Sequence, residues 1–96
     1  MESRKHKQIA NKIAEIKGTE YHSDKGVDIR TKTQAIEVEV DEKLLGQAKR
    51  QLAGSTRTPY IVVPNPLVEK ALEVVRGTRF GVMDERAHIL KRGRGR

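Results

Sequence analysis

The chain has 96 residues, 35% of them apolar and 34% charged, with three aromatics and no cysteine, which leaves room for one modest core. It excludes disulfides, thiolate-bound zinc and a thiol nucleophile. No apolar run approaches the roughly 18 residues of a membrane span, and the basic N-terminus lacks an apolar signal core, so the composition reads as a soluble cytoplasmic protein. The net charge of +7, with a pI near 10.0, is unevenly spread: residues 1–17 hold five Lys or Arg against two Glu, and the last six residues, KRGRGR, hold four more cations. Basic termini on a small domain point to a polyanionic partner, nucleic acid first among them. A solubilising surface with a frayed tail is the plainer reading.

Taken in order, Ser3 caps a helix that runs to about Lys17 and stops at Gly18. Ile9, Ile13 and Ile16, with Ala10 and Ala14, form its apolar stripe, and the lysines lie mostly elsewhere. Glu15 reads as a solvated residue near Lys12. Thr19–His22 is a predicted strand and Ser23–Gly26 a turn.

In the next stretch, GVDIRTKTQAIEVEV, Val27 and Ile29 flank Asp28. Ile36, Val38 and Val40 alternate with Glu37 and Glu39, the period of a half-buried strand. With Thr31–Gln34 as the hairpin loop, Arg30 falls opposite Ala35 and Asp28 opposite Glu37. Like charges facing across a ladder cost a few tenths to about 1 kcal/mol, unless a metal ion or basic side chain lies between them.

Asp41 ends this strand and caps a helix over about Glu42–Ala53 that buries Leu44, Leu45, Ala48 and Leu52. Lys43, Gln47 and Arg50 share its polar edge. Gly46 inside that helix costs roughly 1 kcal/mol relative to Ala and marks an expected close backbone approach. Pro59–Val63 is a continuous apolar run, as in a buried central strand parallel to its neighbour. Asn65 and Pro66 open a helix with Leu67, Val68, Ala71, Leu72 and Val75 inward, stopped by Gly77. Arg79–Met83 and Ala87–Leu90 form a terminal hairpin.

The predicted fold is α/β, in the order α-β-β-β-α-β-α-β-β. It is a three-strand meander and a crossover to a parallel strand, giving a mixed sheet with helices on its faces. Residues 1–90 read as one domain and 91–96 as a basic, disordered tail.

The carboxylates carry the chemistry. Mg²⁺, or Mn²⁺ in its place, prefers hard oxygen ligands and binds through one or two carboxylates plus water and phosphate. Asp28 and Glu37 supply such a pair, and the Val38 carbonyl a third oxygen. Glu39, expected on the same face as Glu37, would orient water or help hold a second metal. The alternative is an outward strand face, with Glu37 and Glu39 in water and offset by Lys25, Arg30 or Lys32.

Asp28 followed nine residues on by Glu37-Val38-Glu39, within helix–three strands–helix–strand, resembles the PD-(D/E)XK nuclease superfamily. GVDI with AIEVEV is similar to the archaeal Holliday-junction resolvases and other restriction-endonuclease-like proteins. The resemblance covers about residues 5–75 and rests on a short, degenerate motif and on element order. It implies that Asp28 and Glu37 bind the metal and that Gln47 matches a glutamine on the following helix. Ser23 sits near a serine that resolvases carry, and Glu15 is the candidate for the family's first-helix acid. Val27 replaces the usual Pro, and Glu39 stands where the motif Lys is expected, an E-x-E variant.

The implied activity is Mg²⁺-dependent cleavage of duplex or branched DNA by a homodimer, with Asp28, Glu37, Glu39 and Gln47 in the catalytic site. Lys43 and Arg50 would border the cleft. Arg4, Lys5, Lys7, Lys25, Arg30, Lys32, Lys91 and Arg92 would contact phosphates. Two further expectations come from other classes: a non-catalytic nucleic-acid-binding module on the same fold, and a small subunit of a larger complex.

Overall fold

The computed structural model describes residues 4–22 and 27–95; Ser3, Ser23 and Lys25 lie outside the described residues. Helix α1 (Arg4–Lys17) forms because His6, Ile9, Ala10, Ile13 and Ala14 recur along one face and are buried there. Gly18, at φ 69°, closes it. Its N–H donates to Glu15 O at 3.1 Å and the Thr19 N–H to Ala14 O at 2.9 Å, a Schellman closure. Ile16, expected inward, stays 50% exposed. It lies in the last turn, where the stripe outruns the surface it packs on.

Five strands form one mixed sheet in the order β1-β2-β3-β4-β5. They are β1 (Ile29–Arg30), β2 (Gln34–Val38), β3 (Thr58–Val62), β4 (Gly81–Met83) and β5 (Ile89–Lys91). The pairs β2–β3 and β3–β4 are parallel, and the outer pairs β1–β2 and β4–β5 antiparallel. Arg30 pairs with Ala35 and Ile29 with Ile36, the expected register. Thr31 secures the turn, its Oγ1 accepting from the Thr33 and Gln34 N–H groups. The apolar run ahead of Pro64 is the central β3, as expected. The predicted strand Thr19–His22 is reduced to a single bridge from Tyr21 to Ile29, and the His22 N–H donates to Asp28 O at 2.8 Å.

The α/β class with a mixed sheet is therefore observed, with five strands where six were expected. Each face of the sheet has its own core. Ile29, Ile36, Val38, Tyr60, Val62 and Met83 pack beneath α1. Ala35, Ile61 and Val82 face Leu45, Ala48, Leu52, Ala71 and Val75 on the other side. Each fully buried Val, Ile or Leu contributes about 1.5–3 kcal/mol, so the alternation along β2 is what selects the register.

The second helix opens as a 3₁₀ turn over Glu42–Leu44, capped by Asp41, whose Oδ1 accepts from the Lys43 N–H at 2.9 Å. It continues as α2 (Leu45–Ala53). Leu44, expected in the core, is exposed, because a 3₁₀ turn advances three residues rather than 3.6 and rotates it off the stripe. Gly46 faces open space rather than a neighbouring backbone. The third helix likewise opens on a 3₁₀ turn, with Asn65 inside it rather than capping, and continues as α3 (Val68–Val74).

Within the segment expected as a disordered tail, residues 91–95 are described and carry contacts. Lys91 ends β5, Gly93 is buried, and the Arg94 N–H donates to Arg79 O at 2.8 Å. A Cβ on Gly81 would lie 2.4 Å from the Tyr60 ring and 2.5 Å from Gly93 N, and one on Gly93 2.7 Å from Pro59 O. Only glycines let these backbones meet.

This topology sorts the loops. The carboxyl ends of β2, β3 and β4, the start of β1 and the first turns of α1 share one end of the sheet. The turns around residues 31–33, 55–57, 78–80 and 92–95 share the other.

Candidate functional site

Parallel strands leave their carboxyl ends open as a crevice where ligands bind in α/β sheets, and here that end holds the acids. Asp28 precedes β1 and Glu37 lies near the end of β2; both are buried, with 8% and 7% of their surface exposed. The Asp28 N–H donates to Glu37 Oε1 at 3.2 Å, and the Val38 N–H donates to Asp28 Oδ2 at 2.9 Å. Each carboxyl thus accepts from a backbone N–H on the other's segment. Burial first, then the hydrogen bond to Asp28 and its charge, push Glu37 up to about 9. The shift favours the neutral form of Glu37 at neutral pH.

His6 completes the cluster from α1. Its Nε2 lies 3.3 Å from Asp28 Oδ2, and its Nδ1 lies 3.3 Å from the Tyr21 hydroxyl. Three elements thus converge on one carboxylate. Flanked by Lys5 and Lys7, His6 has the sequence surroundings of a surface residue. The signal was there: His6 precedes Ile9, Ala10 and Ile13 by three, four and seven residues, which puts it on the buried stripe.

Glu39, expected beside Glu37, lies close enough for its charge to act on that carboxyl. The strand ends at Val38, so alternation no longer sets its direction. Its Oε2 turns back onto its own turn and accepts from the Val40 N–H at 3.0 Å and the Asp41 N–H at 3.1 Å. Burial raises its pKa, while those two N–H groups and the His6 ring pull it down.

The remaining candidates are scattered. Gln47, Lys43 and Arg50 are exposed on or just before α2, and among the described residues none hydrogen-bonds the acids. Glu15 is exposed, in the last turns of α1 and remote from Asp28 in its first. Arg4, Lys5 and Lys7 are exposed around His6. Arg30, Lys32, Lys91 and Arg92 belong to the opposite end of the sheet. Lys91 is committed there: its Nζ donates to Thr78 O and Phe80 O, and burial lowers its pKa.

The donor set has the chemistry of a small hard-cation site. Asp28 and Glu37 offer two carboxylates in contact. In an extended residue the N–H and C=O leave the strand on the same side, so the Val38 carbonyl shares the side of Asp28. A divalent cation there would take the place of the Glu37 proton, since a bound cation inverts the local pKa logic. Among the described residues no group of three or more His, Cys, Asp or Glu side chains is arranged to hold a metal ion, so waters and substrate oxygens would supply the remaining ligands. Among those residues, too, no helix is long and apolar enough to cross a membrane. No protein-family model, curated protein or solved structure matches the chain.

Proposed function

We propose that the protein is a metal-dependent DNA endonuclease of the restriction-endonuclease-like kind, acting on duplex or branched DNA as a homodimer. The observation that carries this reading is the Asp28–Glu37 pair: two buried carboxyls, each accepting from a backbone N–H on the other's segment, at the carboxyl end of the parallel strands. A stable fold gains nothing from two desolvated acids side by side, and such perturbed pairs cluster at functional sites. When bound, Mg²⁺ or Mn²⁺ would supply Lewis acidity to a phosphodiester and a water of lowered pKa. Asp28 and Glu37 would hold the cation, and the His6 ring would fix the orientation of Asp28. Two-fold assembly would place paired sites against the two strands of a duplex.

The test is a Mg²⁺ and Mn²⁺ titration over plasmid, linear, single-stranded and four-way-junction DNA, with wild type beside Asp28→Asn and Glu37→Gln. Metal-dependent nicking or cleavage that both variants lose, with DNA binding retained, is the expected result. Full activity in Asp28→Asn would sink the proposal.

One observation favours a second reading, a nucleic-acid-binding protein without catalysis. Asp28 is already tied to His6 and to the Val38 N–H, and the side chain at the motif-lysine position, Glu39, is folded onto its own turn. This reading expects salt-sensitive DNA binding with no metal requirement and no cleavage of any of the four substrates.

A further inference from the structure

At the end of the sheet that holds the acids, a groove of about 500 Å³ runs between α1 and the turn joining β4 to β5. Arg4, Lys5, Lys12 and Arg86 line it over Ile9, with Glu85 as the one carboxylate in the lining. Among the described residues none of these four cations has an ion pair or a side-chain hydrogen bond to the protein. The turn that presents Arg86 is itself held. Asp84 Oδ1 accepts from the Arg86 and His88 N–H groups at 2.9 Å each. Four cations against one carboxylate around an open groove make a positive field that attracts a polyanion.

The groove also has a direction. Lys5 and Lys12 lie seven residues apart on α1, roughly 10 Å along the helix axis. That is about three nucleotide steps along the axis of one DNA strand. Lys5 is adjacent to His6, whose ring touches Asp28. The Lys5 end of the groove therefore lies on the same turn of α1 that carries His6.

We infer that this groove is the track for one phosphate backbone of duplex DNA, with Lys12 and Arg86 as phosphate contacts. The inference rests on the nuclease reading for its direction and on the free cations for its ligand. Because Lys12 and Arg86 lie away from the acids, they would grip substrate without touching the scissile bond. The basic residues at the opposite end of the sheet would take no part.

The experiment measures duplex-oligonucleotide binding by fluorescence anisotropy, without divalent metal, from about 50 to 200 mM salt. It compares wild type, Lys12→Gln/Arg86→Gln and, as the opposite-end control, Arg30→Gln/Lys32→Gln. The groove pair should lose about tenfold in affinity at low salt and about 2 from the slope of log K against log salt, two phosphates' worth. The control should match wild type. Equal losses in both pairs, no loss in the groove pair, or no duplex binding by wild type would each overturn the groove. Asp28→Asn, run beside the groove pair in the Mg²⁺ and Mn²⁺ cleavage titration, separates the two readings. A groove-dependent Kd with no Asp28-dependent cleavage leaves the track standing and removes the nuclease. Asp28-dependent cleavage with groove-independent binding does the reverse.

Discussion

The two ends of the sheet carry cations in similar number and use them in different ways. Where β2, β3 and β4 finish, Arg4, Lys5, Lys12 and Arg86 stand around open space. At the other end three of the cations, Arg57, Arg79 and Lys91, are turned onto backbone carbonyls. Arg57 Nε donates to Thr31 O at 2.8 Å, Arg79 Nη2 to Ser55 O at 3.1 Å, and Lys91 Nζ to Thr78 and Phe80. Arg79 also lies over the Phe80 ring, 5.5 Å from its centroid. One end keeps its charge available, and the other spends it on orphan carbonyls that tie turns and the C-terminal segment together. A count of Lys and Arg therefore does not locate a polyanion surface; the partners of each cation do.

The largest effect expected is at the acid end. Asp28→Asn should abolish metal-dependent cleavage while the melting temperature and the duplex affinity stay near wild type. A collapse in stability instead would make Asp28 a structural residue and erase the difference between the two ends.

The next is at the far end. Gly81→Ala should cost about 1–3 kcal/mol or more, because its Cβ would meet both the Tyr60 ring and the Gly93 backbone. Chemical denaturation would read this as a lower midpoint, with duplex affinity of the folded fraction unchanged. An unchanged midpoint would show that the closure around Gly93 is looser than its geometry.

The third effect is a pH dependence. The Glu37 carboxyl is raised from 4.5 to about 9 by burial and then by Asp28. Between those values the folded state holds a proton that the unfolded state has released. Stability is therefore lost as pH rises through that window, and is fully present below it. Glu37→Gln, neutral at every pH, should flatten the profile and raise Tm at pH 8 by roughly 4–8 °C, the equivalent of about 1 kcal/mol in a chain this size. Parallel wild-type and variant profiles from pH 5 to about 9 would show that Glu37 does not hold that proton.

The smallest effect concerns α2, which spans the two ends. Gly46→Ala should stabilise by up to about 1 kcal/mol, since the new methyl faces open space. A loss there would mean that the helix start needs glycine's freedom.

Much of the sheet was legible in the sequence because burial writes itself as period. The alternation in β2 and the placement of Arg30 against Ala35 followed from the pleat, and β3 from an apolar run too short for a helix. What was hidden depends on tertiary contact. Thr19–His22 has strand composition, yet among the described residues it joins β1 only through the Tyr21 bridge and single bonds from Thr19 and His22. Gly93 sits in an RGRGR tail that looks unstructured until Gly81 and Pro59 are seen beside it. At the candidate site, the contact of Asp28 with Glu37 followed from register. His6 did not, because a histidine among lysines reads as surface. The hydrogen bonds of Glu39 to the Val40 and Asp41 N–H groups were hidden too, because the strand period ends at Val38.

The short segment at Tyr21 bears on how the molecule behaves among its own copies. A bare strand edge offers unpaired N–H and C=O groups to any passing chain and is the usual start of a fibre. Along β1 that edge is partly taken by the protein itself, through the Tyr21 bridge and the His22 N–H on Asp28. The other margin, β5, is three residues long, joins β4 across a register shift at Val82 and Met83, and runs into Lys91 and Arg92. Short, irregular and positive, it gives a second copy little to extend, even with Ile89 and Leu90 exposed. A chain whose central strands are almost wholly apolar is in this way kept from growing sideways.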